Sequence, residues 1–249
     1  MRLRLTNKLL LVLIIVIGTV LRFYNYGEIP FTHDEFSALS RLNFDNFNAL
    51  IEKGVKIDAH PAGVHLFMYY WTTFFGSTEW VVKLPFTVLG ILSIWLIYLI
   101  GKNWFNDTVG LISASFITTI QFTVIYSQIA RPYISGLFFS LLMVYYWTLI
   151  IKSPNKKFNQ NILLYALSSA MCAYNHHFSL LFAGIVGLSG LFFIKKEYLK
   201  KYILAGFLIF ILYIPHLNIF FYQLNVGGIG GVDGWLGKPT NDFLTKYIF

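Results

Sequence analysis

Residues 9–36 read LLLVLIIVIGTVLRFYNYGEIPFTHDEF. An unbroken apolar run gives way through Arg22 and two tyrosines to His33, Asp34 and Glu35. From Leu9 to Tyr26 the stretch is long enough to cross a bilayer. Two adjacent carboxylates and a histidine beside hydrocarbon are expensive to place there and point to a functional region. Arg2, Arg4 and Lys8 precede the run as they would in a secretory signal. The bulky Leu21-Arg22-Phe23-Tyr24 offers no small-residue cleavage site, so the run reads as a retained first span.

The same apolar density recurs along the chain. Of 249 residues, 57% are apolar and 12% charged, against roughly 25% charged in a soluble domain. The fold class expected is an all-α, polytopic transmembrane bundle. Further spans fall at Trp80 to Ile100, Val109 to Tyr126, Tyr133 to Ile151, Asn161 to Tyr174, Phe178 to Ile194 and Tyr202 to Phe221. With the first, they make about seven. The pair flanking Asn175-His176-His177 leaves open one long helix with a polar middle. Residues 27–60 form a polar first loop. Within it Phe36, Leu39, Asn43, Phe47 and Leu50 share one side of a 3.6-residue period, the pattern of an amphipathic helix on the membrane surface. Ala62 to Phe75 is too short for the ~30 Å hydrocarbon core and reads as re-entrant or interfacial. Residues 1–221 are thus a transmembrane catalytic module. Residues 222–249, with Gly227-Gly228-Ile229-Gly230-Gly231, read as an outer-face loop entering a further helix that is cut short.

Charge sets the expected orientation. With the N-terminus in the cytoplasm, the cytoplasmic segments are Met1 to Lys8, Gly101 to Thr108, Lys152 to Gln160 and Lys195 to Lys201. They hold eleven basic residues against Asp107 and Glu197, while the rest of the chain is nearly balanced. This is the positive-inside pattern of a multi-pass cell-membrane protein. The net charge of +8 is topological, and nucleic acid is not an expected partner. The same orientation gathers all six histidines, Asp34, Glu35, Asp58, Arg131, Tyr126 and Tyr133 on or near the outer face.

Each candidate has a bland and a functional reading. Asp34 either caps a helix beginning at Glu35 or serves as a general base on a hydroxyl. Neighbouring helical side chains diverge by about 100°, so Asp34 and Glu35 cannot share a proton as a dyad. His60 with Pro61 is either a surface turn or a cation for a phosphate at headgroup level. Arg131, in Tyr126-Ser127-Gln128-Ile129-Ala130-Arg131-Pro132-Tyr133, either snorkels to headgroups or clamps a phosphate with its planar fork. His176 and His177 are adjacent and make a poor chelating pair. The one cysteine, Cys172, rules out a cysteine metal cluster and reads as a small core residue. No metal and no cofactor is expected, and no phosphate-binding P-loop or dinucleotide fingerprint is present.

In order and spacing, these residues resemble the membrane glycosyltransferases of the GT-C fold. The closest likeness is to glycosyltransferase family 39, which includes the protein O-mannosyltransferases, and to the bacterial aminoarabinose transferases acting on lipid A. The likeness rests on a first span followed by His33-Asp34-Glu35, then an amphipathic stretch, then His60-Pro61-Ala62-Gly63 opening a short aromatic helix. It extends to Trp80 to Gly101 with Lys83 near its outer end, and to Tyr126–Tyr133, similar to the family's Tyr-Ser-Gln-x-x-Arg-x-Tyr segment. Ala62 stands where a second proline is frequent, and family members run to about twice this length, so the chain reads as an N-terminal fragment. The resemblance implies a polyprenyl-phosphate-linked sugar as donor, used on the outer face, a glycan, lipid or protein hydroxyl as acceptor, and Asp34 as catalytic base supported by Glu35. On that basis His60, Arg131, Lys83 and His177 are expected at the donor phosphate, and His33, Tyr126, Tyr133 and His176 along the substrate. Two other readings of the same residues are a transporter or flippase and a non-catalytic subunit of an envelope-glycan assembly.

Overall fold

A computed structural model describes residues 2–44, 46–154, 157–225, 240, 242 and 245–246. The expected glycine-rich loop at 227–231 and most of the expected further helix lie outside these residues. The described residues form helices and turns, with no strand among them. In chain order the helices are α1 (Arg2–Phe23), α2 (His33–Ser40), α3 (Phe47–Ala49), a π-helical turn (Leu50–Val55), α4 (Ala62–Phe75), α5 (Glu79–Trp104), α6 (Asp107–Thr119) and α7 (Gln121–Ser127). There follow α8 (Pro132–Lys152), α9 (Phe158–Asn175), α10 (His177–Phe193), α11 (Lys196–Tyr213), a 3-10 turn (Ile214–His216) and α12 (Leu217–Asn225).

Each apolar stretch is helical, but seven spans is too many. Four segments are long and apolar enough to cross a membrane: Thr6–Phe23, Glu79–Trp104, Pro132–Lys152 and Lys196–Asn225. The pair α6 and α7 makes a fifth only if counted as one bent span. α10 has just 17 residues. The apolarity of α9 is diluted by Asn161, Ser168, Ser169 and Asn175, all turned into the bundle. The chain does break at His176, whose extended backbone separates α9 from α10.

Helices alternate in direction, so their ends sort into two groups. At one end Lys152 donates to the last carbonyls of α5 (Asn103 and Trp104), Lys102 pairs with Asp107, and Lys201 donates to Asn159. α5 and α6 meet backbone to backbone near this end. A Cβ on Gly110 would lie 2.7 Å from the Tyr98 carbonyl oxygen, so only glycine permits the approach. The opposite, polar end collects the first loop, the start of α4, the α7–α8 turn, the α9–α10 break and α12.

Two expectations about local shape change. Val109 to Tyr126 is not straight: α6 and α7 meet at 61° around Ile120. Carbonyls freed at such a break need partners inside an apolar medium. Arg22 of α1 supplies them, with Nη2 donating to Ile117 O (3.0 Å) and Nη1 to Thr118 O (3.4 Å) and Gly18 O (3.1 Å). Its Nε donates to Ser127 Oγ at 3.0 Å, and the side chain is fully buried. The expected single amphipathic helix over 36–50 is also divided. α2 stops at Ser40, and Asn46 restarts the chain by accepting from the Ala49 N–H. The division lets Leu42 and Leu50 both enter one apolar cluster under the first loop, while Phe36 and Phe47 stay exposed.

Candidate active site

The start of α2 is fixed by a reciprocal cap. Thr32, not Asp34, is the N-cap: its Oγ1 accepts from the Glu35 N–H, while Thr32 N–H and Oγ1–H donate to Glu35 Oε2 at 2.8 and 2.9 Å. Glu35 Oε1 accepts from the Ala130 N–H at 2.7 Å, and the residue is completely buried. Glu35 is therefore occupied by backbone donors and ties the first loop to the α7–α8 turn. Asp34, one position earlier, points outward with 61% of its side chain exposed. His33 is exposed and lies 3.9 Å from Asp34.

Lys83 is likewise spoken for. Its Nζ donates to the Ile29 and Pro30 carbonyls (2.8 and 3.1 Å) and lies over the Phe31 ring. It is buried beneath the loop that carries Asp34, and both of its acceptors belong to that loop.

The centre of the polar end is Asp58, a buried carboxylate. Oδ2 lies 2.7 Å from Arg41 Nη1, 2.9 Å from His65 Nε2 and 3.7 Å from Arg131 Nη1. Oδ1 lies 3.0 Å from His60 Nδ1 and accepts from the Ala59 N–H at 2.6 Å. Burial by itself would push this carboxyl up. The His60 and His65 hydrogen bonds and the charges of His65 and Arg131 overcome that and hold it well below the usual carboxylate range. His60 Nδ1 is also 3.0 Å from Arg131 Nη2. With its proton given to Asp58, Nδ1 has no lone pair for Arg131 Nη2, so that guanidinium nitrogen gains no acceptor from His60. One carboxylate thus faces two guanidiniums as well as two imidazoles. Arg131 is buried, and its Nε has no hydrogen-bond partner. An excess of forked donors over acceptors is the chemistry of an anion site.

Around this cluster lie the remaining candidates. The His176 ring packs edge-on against His60, 5.2 Å between centroids. Burial, with the nearby charges of His60, His177 and Arg131, lowers its pKa to about 4, so it is neutral at pH 7. His177 does not reach the Arg131 cluster; its Nε2 faces Gln223 Oε1 at 3.2 Å. Tyr126 and Tyr133 pack edge to face at 4.7 Å, and Tyr133 lies within electrostatic reach of Asp34 and Arg131. Two hollows flank the cluster. An open cleft of about 390 Å³ runs past Tyr133, His176 and Phe122. A larger cavity of about 540 Å³ lies between α4, α5, α8 and α9, walled by apolar groups such as Phe67, Trp71, Leu89 and Phe139. Val64 stands between this cavity and the His60–Arg131 side. Among the described residues, no three His, Cys, Asp or Glu side chains are grouped to hold a metal ion.

The sequence gathers Asp58 and His65 with the outer-face ionisable groups but assigns them no role. Arg41 and Gln223 escape a reading of the sequence: Arg41 looks like an ordinary loop residue, and Gln223 is a single amide in an apolar helix.

The described residues form an all-helical bundle of membrane-protein class, with Arg131, His65 and His216 buried at one end. Residues 59–219 match the family described as dolichyl-phosphate-mannose-protein mannosyltransferase. The match covers well over half of the chain, and the protein belongs to that family of membrane glycosyltransferases, whose donors are polyprenyl-phosphate-linked sugars. No curated protein and no solved structure matches it.

Proposed function

We propose that this protein moves a sugar from a polyprenyl-phosphate donor to a hydroxyl acceptor by a single inverting displacement, with Asp34 as the base. The observation that carries the proposal is Arg131 facing His60, on the turn whose Ala130 N–H holds Glu35, next in the chain to the exposed Asp34. The acceptor hydroxyl gives its proton to Asp34 as its oxygen bonds to the anomeric carbon. The bond from that carbon to the phosphate oxygen breaks, and the electron pair leaves with the polyprenyl phosphate. That leaving group is already a stable anion, so donors aimed at it suffice and no general acid is required. Arg131 and His60 supply those donors.

The apolar cavity beyond Val64 suits the polyprenyl tail, and the open cleft past Tyr133 and His176 suits the sugar and its acceptor. Lys83 supports the Asp34 loop and His177 supports the His60 segment; neither is a phosphate ligand in this scheme. The gathering of Lys102, Lys152 and Lys201 at the far end favours that end as cytoplasmic, which puts the site on the outer face of the cell membrane. The acceptor is a glycan, lipid or protein hydroxyl.

The test is sugar transfer in membranes from cells making the protein. Asp34→Asn is expected to lower turnover about a thousandfold at unchanged protein level. Near-normal turnover would remove Asp34 as the base.

A further inference from the structure

Gln223 lies in α12, just past the segment that matches the family. It is buried, and both ends of its amide are engaged. One end approaches two backbone carbonyls, Val55 O at 3.0 Å and His60 O at 2.9 Å. Carbonyls only accept, so this end is the NH2 group. The other end is then the amide oxygen, and the His177 nitrogen 3.2 Å away must carry the proton. His177 is thereby fixed as the Nε2–H tautomer with a bare Nδ1.

The segment that Gln223 grips carries the centre of the site. Residues 55–62 include Asp58 and His60 and lie between the π-helical turn and α4. Their backbone takes few bonds of its own: Asp58 N–H to Val55 O, and Lys56 N–H to Ile51 O. The same C-terminal stretch grips the segment once more, where His216 Nε2 accepts the Ala62 N–H at 2.9 Å. That contact requires a neutral His216. The carbonyl that Gln223 holds belongs to His60 itself, so its pull acts on the residue whose ring faces Arg131.

We infer that Gln223 is a positioning residue for the phosphate site, acting through the His60 backbone. The inference rests on the reading of His60 and Arg131 as the donor-phosphate ligands. A glutamine that merely staples α12 to the loop would affect stability and nothing else. A positioning glutamine affects recognition of the phosphate, and its effect depends on His60.

The experiment measures binding of a polyprenyl phosphate and of the matching uncharged polyprenol to the full-length protein in lipid nanodiscs. The proteins compared are wild type, Gln223→Met, His60→Ala and the double variant. Met keeps the length and removes every hydrogen bond. Gln223→Met is expected to weaken polyprenyl phosphate binding about tenfold and to leave polyprenol binding unchanged. In the His60→Ala background the same change is expected to have less than a twofold effect, because its route is gone. Equal losses for both lipids, or losses that multiply in the double variant, overturn the inference. A wild-type protein that does not distinguish phosphate from alcohol overturns the site reading instead, and the inference with it. If the Met variant does not fold, Gln223→Asn keeps the amide but shortens its reach, and the same phosphate-selective loss is expected. Full phosphate selectivity in a folded Asn variant that has lost the His60 carbonyl contact, read by faster hydrogen exchange over 55–62, also overturns it.

Discussion

Arg22 and Arg131 are both buried guanidiniums at turns in the chain, and the two are served very differently. All three nitrogens of Arg22 donate, to three carbonyls and two hydroxyls. Arg131 approaches one imidazole and the far side of a carboxylate, and its Nε has nothing. Among the described residues Arg22 has no acidic partner; its charge is spread over the Ile117 and Thr118 carbonyls at the break and the Gly18 carbonyl of its own helix. Arg131 lines a hollow with His60 and shares Asp58 with Arg41. A buried cation that is saturated is part of the frame. One that is left with a spare donor at a cleft is available to a ligand.

Replacing Arg22 is the strongest way to break this contrast. Arg22→Met should destabilise the bundle by about 1–3 kcal/mol, since it strands the Thr118 carbonyl and leaves Ile117 O to Thr123 Oγ1 alone. Thermal unfolding in detergent checks this, and a folded variant with an unchanged midpoint would show that the bend needs no bolt. Arg131→Ala should do the reverse, with transfer falling about a hundredfold and the midpoint moving little. Steady-state kinetics should put the loss on the donor and spare the acceptor. A loss shared equally by both substrates would move Arg131 from phosphate ligand to general support.

The smallest effect concerns pH, and it sharpens the contrast, because only Arg131 has titratable neighbours. His176 has a folded pKa of about 4, below its ordinary 6.5. The unfolded chain therefore binds its proton first, and stability should fall as pH drops from about 6.5 towards 4. Asp58 is shifted the same way, to below the usual carboxylate range. Its contribution persists above about pH 4 and is lost only in stronger acid. His176→Phe should flatten the decline between pH 6.5 and 4 and leave the acid limb alone. Unfolding midpoints across that range decide it.

Much of the helix layout was legible because apolar runs and their breaks are local signals. α4 was expected over Ala62 to Phe75 and occupies those residues. The divergence of Asp34 and Glu35 follows from helix geometry, and the structure turns Glu35 inward and Asp34 out. What was not legible depends on partners distant in sequence. No proline or glycine near Ile120 announces a bend; Thr123 Oγ1 meets the Ile117 and Ile120 carbonyls locally, and the charged donor that completes it comes from α1. Lys83 is expected at the donor phosphate, and its engagement with the Ile29 and Pro30 carbonyls is not legible because no pattern of side chains reports loop carbonyls. The single amphipathic helix failed because tertiary packing of Leu42 and Leu50 outweighed a periodicity that ran through Asn43.

The bend between α6 and α7 has a further consequence for genetics. One of its causes is recorded 95 residues away from the Ile117 carbonyl that Arg22 reaches. Substitutions scanned along α6 and α7 should single out Thr123, whose Oγ1 donates to Ile117 O and Ile120 O. The other lesion that straightens the segment maps to the first helix, and a second-site suppressor would be a new donor at the break.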